Sequence, residues 1–288
     1  MNIQSLSVVV PNPHCVNHCK FCVSCQHCDR YKNQMDDNLP FFDLYLRDYL
    51  ERLEFARSNG CNTIMLTGNS EPQQNRKFLT YFGMMMKMMR DPFCWIEMQT
   101  TGVFLDRNYL RFLRNHVGVK VISISLSSFD NKENAAIIGM PEGHEVNLKE
   151  LCAFIKEYDF TLRLSINYTD AFANMSSAEV FEHAVNLGAD QVTIRGMYDD
   201  GESTPQAQWV REHRLNPAPI IAYIRQNGKK LGILPYGYTK YSIHGMTTVV
   251  DTDCMSKTEQ VNETYKYLIL QPDCKLYSQW DDKASIIF

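Results

Sequence analysis

The chain has 288 residues, 44% hydrophobic and 22% charged, which is enough apolar surface for one sizeable α/β domain. A net charge of −4 argues against a broad nucleic-acid-binding face, DNA included, and no apolar run approaches the roughly 20 residues that span a bilayer. Ten cysteines, with no basic start and long apolar core of a secretion signal, predict reduced thiols and metal ligands in a cytoplasmic setting.

In chain order, residues 5–10 read as a first strand, and a cysteine loop follows its end. Phe42, Tyr45, Leu46, Tyr49, Leu50 and Leu53 recur at helical spacing, so a helix is predicted to about residue 58, stopped by Gly60. Further strands are predicted over 63–67, 95–99, 121–126, 161–167 and 191–195. The helices between them fall over 76–89, near 107–115, near 148–157, and from Ser176 or Ser177 to about Gly188. The Met-rich helix, with methionines at 84, 85, 86, 88 and 89, reads as core filler, and Cys61, Cys94 and Cys152 read as buried structural thiols. Six strand–helix units in series predict a parallel sheet with right-handed crossovers, short of the eight strands of a closed barrel. The expected fold class is α/β, a partial (β/α)6 TIM-like barrel over residues 1–228. After Asn227 the chain turns rich in Gly, Tyr and Thr, and 265–270 with 275–280 frames a hairpin through Gln271, Pro272 and Asp273. Residues 229–288 are therefore expected to form a small β-rich extension capping the barrel's open side.

Cys15, Cys19 and Cys22 stand as C-x3-C-x2-C directly after the first strand. Three thiolates hold a cubane [4Fe–4S] cluster by three irons and leave the fourth for chemistry, whereas an electron-transfer cluster takes four cysteines. The same stretch also suits zinc, which takes four Cys or His ligands in structural sites. His14, His18 and His27 are interleaved, and Cys22, Cys25 and Cys28 form a second ladder. Phe21 extends the tripod to C-x3-C-x-aromatic-C. With that residue the chain resembles the radical S-adenosylmethionine (radical SAM) enzymes over roughly residues 5–200. The resemblance implies a partial barrel, a [4Fe–4S] cluster on Cys15, Cys19 and Cys22, and S-adenosylmethionine chelated to the open iron. It also implies a one-electron cleavage that gives a 5′-deoxyadenosyl radical.

Gly68, Asn69, Ser70, Glu71 and Pro72 end the second strand and are similar to the family's Gly-Gly-Glu-Pro element, which holds the methionine amino group. Asn69 and Ser70 stand where the family has its glycine pair. Thr100, Thr101 and Gly102 are similar to the family's Thr-Asn-Gly element near the ribose, with Thr101 in place of the asparagine. Ser125, between Ser123 and Ser127 on one face of the fourth strand, is the expected partner of the methionine carboxylate. Asn167 and Arg195 at the ends of strands five and six complete the expected cofactor set.

Substrate contacts are expected from Tyr198, Tyr236, Tyr238, His244, Asp251 and Asp253, because aromatics stack on a planar base and acids accept from a guanine-like edge. Compact size, one cluster and a tyrosine-rich extension make the chain similar to the queuine lyases, which free the base queuine from its nucleoside or nucleotide. That resemblance implies lyase chemistry on such a small molecule, with flavodoxin or ferredoxin as electron donor. Two other readings remain open here, a radical SAM peptide maturase and a non-catalytic zinc or iron–sulfur protein. Only Cys254 and Cys274 lie in the extension, so a single cluster is expected, with Cys25 and Cys28 free or structural.

Overall fold

The computed structural model describes residues 1–26, 45–234, 238–251, 264–280 and 282–288. Cys28, Tyr236, Asp253, Cys254, His27 and the start of the helix predicted from Phe42 lie outside the described residues. Strands β1 (Asn2–Val9), β2 (Thr63–Thr67), β3 (Trp95–Thr100), β4 (Val121–Leu126), β5 (Thr161–Asn167) and β6 (Gln191–Arg195) pair in chain order, all parallel.

Alternation decides which way each strand faces. Leu6, Val8, Ile64, Leu66, Ile96, Met98, Ile122, Ile124, Leu162, Leu164, Val192 and Ile194 all join one buried apolar cluster. They pack there with Tyr49 and Leu53 of α2 (Leu46–Ser58) and with Phe78, Leu79 and Phe82 of α3 (Arg76–Met88). The same cluster takes Leu151 and Ile155 of α6 (Leu148–Glu157) and Val180 and Phe181 of α7 (Ser177–Asn186). Every one of those strand residues is even-numbered. The odd-numbered face is mostly polar and encloses a lumen.

Several elements differ from expectation. The helix predicted over 107–115 is α4 (Arg107–Phe112) running into a π-helical turn, Leu113–Val117, stopped by Gly118 at φ 86°. Four helices carried no periodic signal. They are the single turn α1 (Val23–Gln26), α5 (Asn131–Ile138), α8 (Pro205–His213) and α9 (Ala218–Asn227). End chemistry accounts for two of them. Asp130 accepts from Glu133 N at the start of α5, and Thr204 accepts from Ala207 N, with Pro205 at the first helical position, at the start of α8. In α3, Met85 and Met86 are core residues while Met84 and Met88 are exposed; Cys94 is also exposed rather than buried, unlike Cys61 and Cys152.

The described strands after Asn227 prolong the sheet at both edges. The antiparallel meander β7 (Lys229–Ile233), β8 (Thr239–Ile243) and β9 (Met246–Asp251) joins through β9, which runs parallel to β6. At the other edge β10 (Thr264–Leu270) runs parallel to β1, and β11 (Leu276–Tyr277) closes the expected hairpin. The sheet order is β11-β10-β1-β2-β3-β4-β5-β6-β9-β8-β7, an open barrel. No helix among the described residues is long and apolar enough to cross a membrane.

Candidate active site

The cysteine loop hangs from the C-terminal ends of the strands by side-chain amides. Asn12 Nδ2 donates to Ser70 Oγ (2.8 Å) and to the Glu71 carbonyl (3.2 Å), and Asn75 Nδ2 donates to the Pro11 carbonyl (2.6 Å). Gln74 both accepts from Val16 N (2.9 Å) and donates to the His14 carbonyl (3.0 Å). On its other side the loop is tied to the end of α5, with His18 N donating to Gly139 O and Lys20 N to Ile137 O, each at 3.0 Å. Gly139 has φ 63°, and a Cβ there would stand 2.4 Å from the His18 carbonyl oxygen, so both the turn and the approach need glycine.

Asn17, between two of the cysteines, reaches into the site. Its Nδ2 donates to Glu71 Oε1 (3.1 Å) and to Thr101 Oγ1 (2.9 Å). Glu71, itself buried, also accepts from Thr101 N (3.0 Å) and Thr100 Oγ1 (2.7 Å). Burial pushes its carboxyl up, against the lowering effect of these donors. Asn167 Nδ2 donates to Ser125 Oγ and Ser127 Oγ, both at 3.1 Å. Arg195 Nε donates to Ser165 Oγ (2.6 Å), and its Nη1 lies 3.8 Å from Asp251 Oδ2.

These groups meet in one cavity of about 240 Å³. Cys15, Cys19 and Cys22 line it together with Phe21, Gly68, Asn69, Ser70, Glu71, Thr101, Ser125, Asn167, Arg195 and Tyr198. A second cavity of about 680 Å³ fills the lumen, and the two share Val23, Ser24, Thr67, Gly68, Gln99 and Arg195. Tyr238 and Asp251 line the lumen. His244 does not reach either cavity: with Gly245 it makes the positive-φ turn (47° and 83°) between β8 and β9, at the N-terminal end of β9.

Three residues of consequence carried no sequence motif: Asn17, Glu97 and Arg163. Glu97 is 3% exposed and accepts from Arg163 Nη1 over β4, along the inner face of the sheet. The only signal that could have found the pair is parity, since odd positions of β3 and β5 face inward.

Burial pushes the Cys15 thiol up to about 11 and raises Cys19, which also feels Cys22 and Cys15. Cys22 is raised first by its hydrogen bond with Cys25 and then by burial. The three thiols thus share one electrostatic environment. Among the described residues no three His, Cys, Asp or Glu side chains converge on a single-ion site. Cys15, Cys19 and Cys22 nonetheless line one cavity together, as the ligands of a single bound group would. Asn17 and Asn69 line the cavity as well, and each has a buried Oδ1 without a donor.

No family model matches the sequence, and no curated protein does. Solved structures do match. Native anSMEcpe with bound AdoMet aligns over 96% of this chain and 74% of its own, at 11% identity and a TM-score of 0.62. Native anSMEcpe with bound AdoMet and Cp18Cys peptide aligns over 78% and 58%, at 12% identity and 0.53. Coproporphyrinogen III oxidase (HemN) from Escherichia coli, a radical SAM enzyme, aligns over 81% and 54%, at 15% identity and 0.50. The chain therefore spans between about half and three quarters of the length of these proteins. At these identities the likeness establishes the fold: an open α/β barrel of the kind that radical SAM enzymes use.

Proposed function

We propose that this chain is a radical SAM enzyme in which Cys15, Cys19 and Cys22 hold a single [4Fe–4S] cluster and S-adenosylmethionine fills the rest of the thiol cavity. One observation carries the reading: three thiols line a cavity together with Asn17, Asn69 and the Glu71 carboxyl, and that cavity adjoins a polar lumen. When bound, the cluster supplies the electron that splits the sulfonium into methionine and a 5′-deoxyadenosyl radical. Asn17 and Asn69 would accept from the methionine ammonium, beside the Glu71 carboxyl. Ser125, with its hydroxyl already oriented by Asn167, and Arg195 would donate to the methionine carboxylate. Thr101 would be the residue for the ribose. The substrate enters the lumen, where water is displaced by a lining of Tyr238, Trp95, Met65 and polar side chains.

The substrate we assign is a queuosine-type nucleoside or nucleotide, cleaved to release queuine, with a flavodoxin or ferredoxin as reductant. A lumen of about 680 Å³ lined by aromatic and hydrogen-bonding groups suits a flat polar ligand of that size. The likeness to anSMEcpe, which was solved with a bound peptide, favours a second reading, a peptide substrate.

The test is anaerobic reconstitution followed by S-adenosylmethionine, dithionite and queuosine 5′-phosphate, read by mass spectrometry. Queuine together with 5′-deoxyadenosine supports both enzyme class and substrate. Deoxyadenosine alone keeps the class and overturns the substrate. Neither product from fully loaded protein overturns the class as well.

A further inference from the structure

The lumen contains a polar cluster to which the proposed function assigns no role. Gln99, Ser123, Arg163 and Gln191 are successive Cα partners across β3, β4, β5 and β6, so they share one register row on the inner face. Arg163 Nη1 donates to Glu97 Oε2, while Nε (2.8 Å) and Nη2 (2.6 Å) both donate to Gln191 Oε1. A guanidinium only donates, so this fork fixes the Gln191 amide with its oxygen toward Arg163 and its Nε2 turned away. Gln99 is held in the opposite sense: its Nε2 faces Glu97 Oε1 at 3.4 Å, leaving the carbonyl oxygen outward. Among the described residues no group accepts from Gln191 Nε2 and none donates to Gln99 Oε1. Both side chains line the lumen, and Gln99 lines the thiol cavity too.

A buried ion pair adds little stability, because desolvation offsets the attraction. Here it locks two amides in opposite polarity on facing parts of a curved wall. Three strand steps of ~4.8 Å separate their backbones by ~14 Å along that wall, and both side chains line the lumen between them.

We propose that Gln191 and Gln99 clasp opposite ends of one edge of a planar heterocycle, Gln191 donating to a ring carbonyl and Gln99 accepting from an exocyclic amine, with the Glu97–Arg163 pair as the positioning element. The proposal rests on the nucleoside reading above and deepens it, since it specifies the edge by which the base is recognised. It places that base where the lumen meets the thiol cavity, since Gln99 lines both and Arg195 does too.

The test is calorimetry on anaerobic, cluster-loaded protein with S-adenosylmethionine present. The probes are 7-deazaguanosine, its analogue without the amine (7-deazainosine) and its analogue without the carbonyl (2-amino-7-deazapurine riboside). Wild type should bind 7-deazaguanosine at least about tenfold more tightly than either analogue, the value of one buried hydrogen bond. Gln191→Glu keeps the oxygen that Arg163 grips and removes the donor, so it should abolish only the preference for the carbonyl. Gln99→Met should abolish only the preference for the amine. Iron content of both variants, and the S-adenosylmethionine affinity of Gln191→Glu, should match wild type, since neither residue holds the cluster and Gln191 lines only the lumen. Equal binding of the three probes by wild type, or equal loss for all three in each variant, overturns the clasp while leaving the nucleoside reading standing. No binding of any probe overturns both, and 5′-deoxyadenosine formation then reports separately on the radical SAM assignment.

Discussion

Asn17→Ala tests how the cysteine loop is held. The substitution removes one hydrogen bond to a carboxylate and one to a hydroxyl, at 3.1 and 2.9 Å. Bonds to charged groups contribute about 1.5–3 kcal/mol and neutral ones about 0.5–1.5, so the gross loss is roughly 2–4 kcal/mol. Against that, the donorless Oδ1 also disappears, and relieving one buried unsatisfied acceptor returns about 1–2 kcal/mol. The net expectation is a destabilisation of about 2 kcal/mol. With a urea m-value near ~3 kcal/mol/M the unfolding midpoint should fall by about 0.7 M. Tryptophan fluorescence of reduced, cluster-free protein reads this directly. Loaded protein should meanwhile bind S-adenosylmethionine roughly 10–150-fold more weakly, because a charge-assisted acceptor has gone. A midpoint moved by less than about 0.2 M, with unchanged S-adenosylmethionine affinity, would refute the bridging role.

Replacing Cys15, Cys19 or Cys22 with Ala should reduce iron from about four per chain to near zero, whereas Cys25→Ala should retain it; iron and sulfide analysis decides. Gly139→Ala forces φ 63° on a residue with a Cβ and drives it against the His18 carbonyl, so we expect about 2 kcal/mol of destabilisation and a Tm about 5 °C lower by calorimetry. An unchanged Tm would mean the loop is not pinned there. Cluster loading should become tighter with rising pH and release about three protons per chain, measured with an indicator dye in weak buffer. The sign follows from the thiols: Cys15 is pushed up to about 11 and Cys19 and Cys22 are raised too, so all three are neutral at working pH and lose protons only on ligation.

The strands were legible because their inward and outward residues differ in kind; the predicted limits at 63–67, 121–126, 161–167 and 191–195 coincide with β2, β4, β5 and β6. Periodicity failed for α5, α8 and α9; the starts of the first two are set by Asp130 and Thr204 rather than by a long apolar stripe. It also could not place β9 and β10. Their partners β6 and β1 lie about fifty and more than two hundred and fifty residues away, and pairing over such distances leaves no local trace. His244 was misplaced for a related reason: composition groups it with Tyr238 and Asp251, but the antiparallel turn carries it to the opposite end of the strand.

The departures from the family's motifs have a structural counterpart. Thr101 stands where the resemblance calls for asparagine, and its hydroxyl receives Asn17 Nδ2. Ser70 stands at a glycine position, and its hydroxyl receives Asn12 Nδ2. In both cases an asparagine from the cysteine loop answers a hydroxyl at a strand end, so the altered residues tie loop to barrel instead of leaving a gap. If that coupling is real, Asn17→Ala and Thr101→Val should not add. Each alone removes the same bond, and the double variant should be less destabilised than the sum by about 0.5–1.5 kcal/mol in urea unfolding. Strict additivity would mean that the Asn17–Thr101 bond does not couple the loop to the strand end.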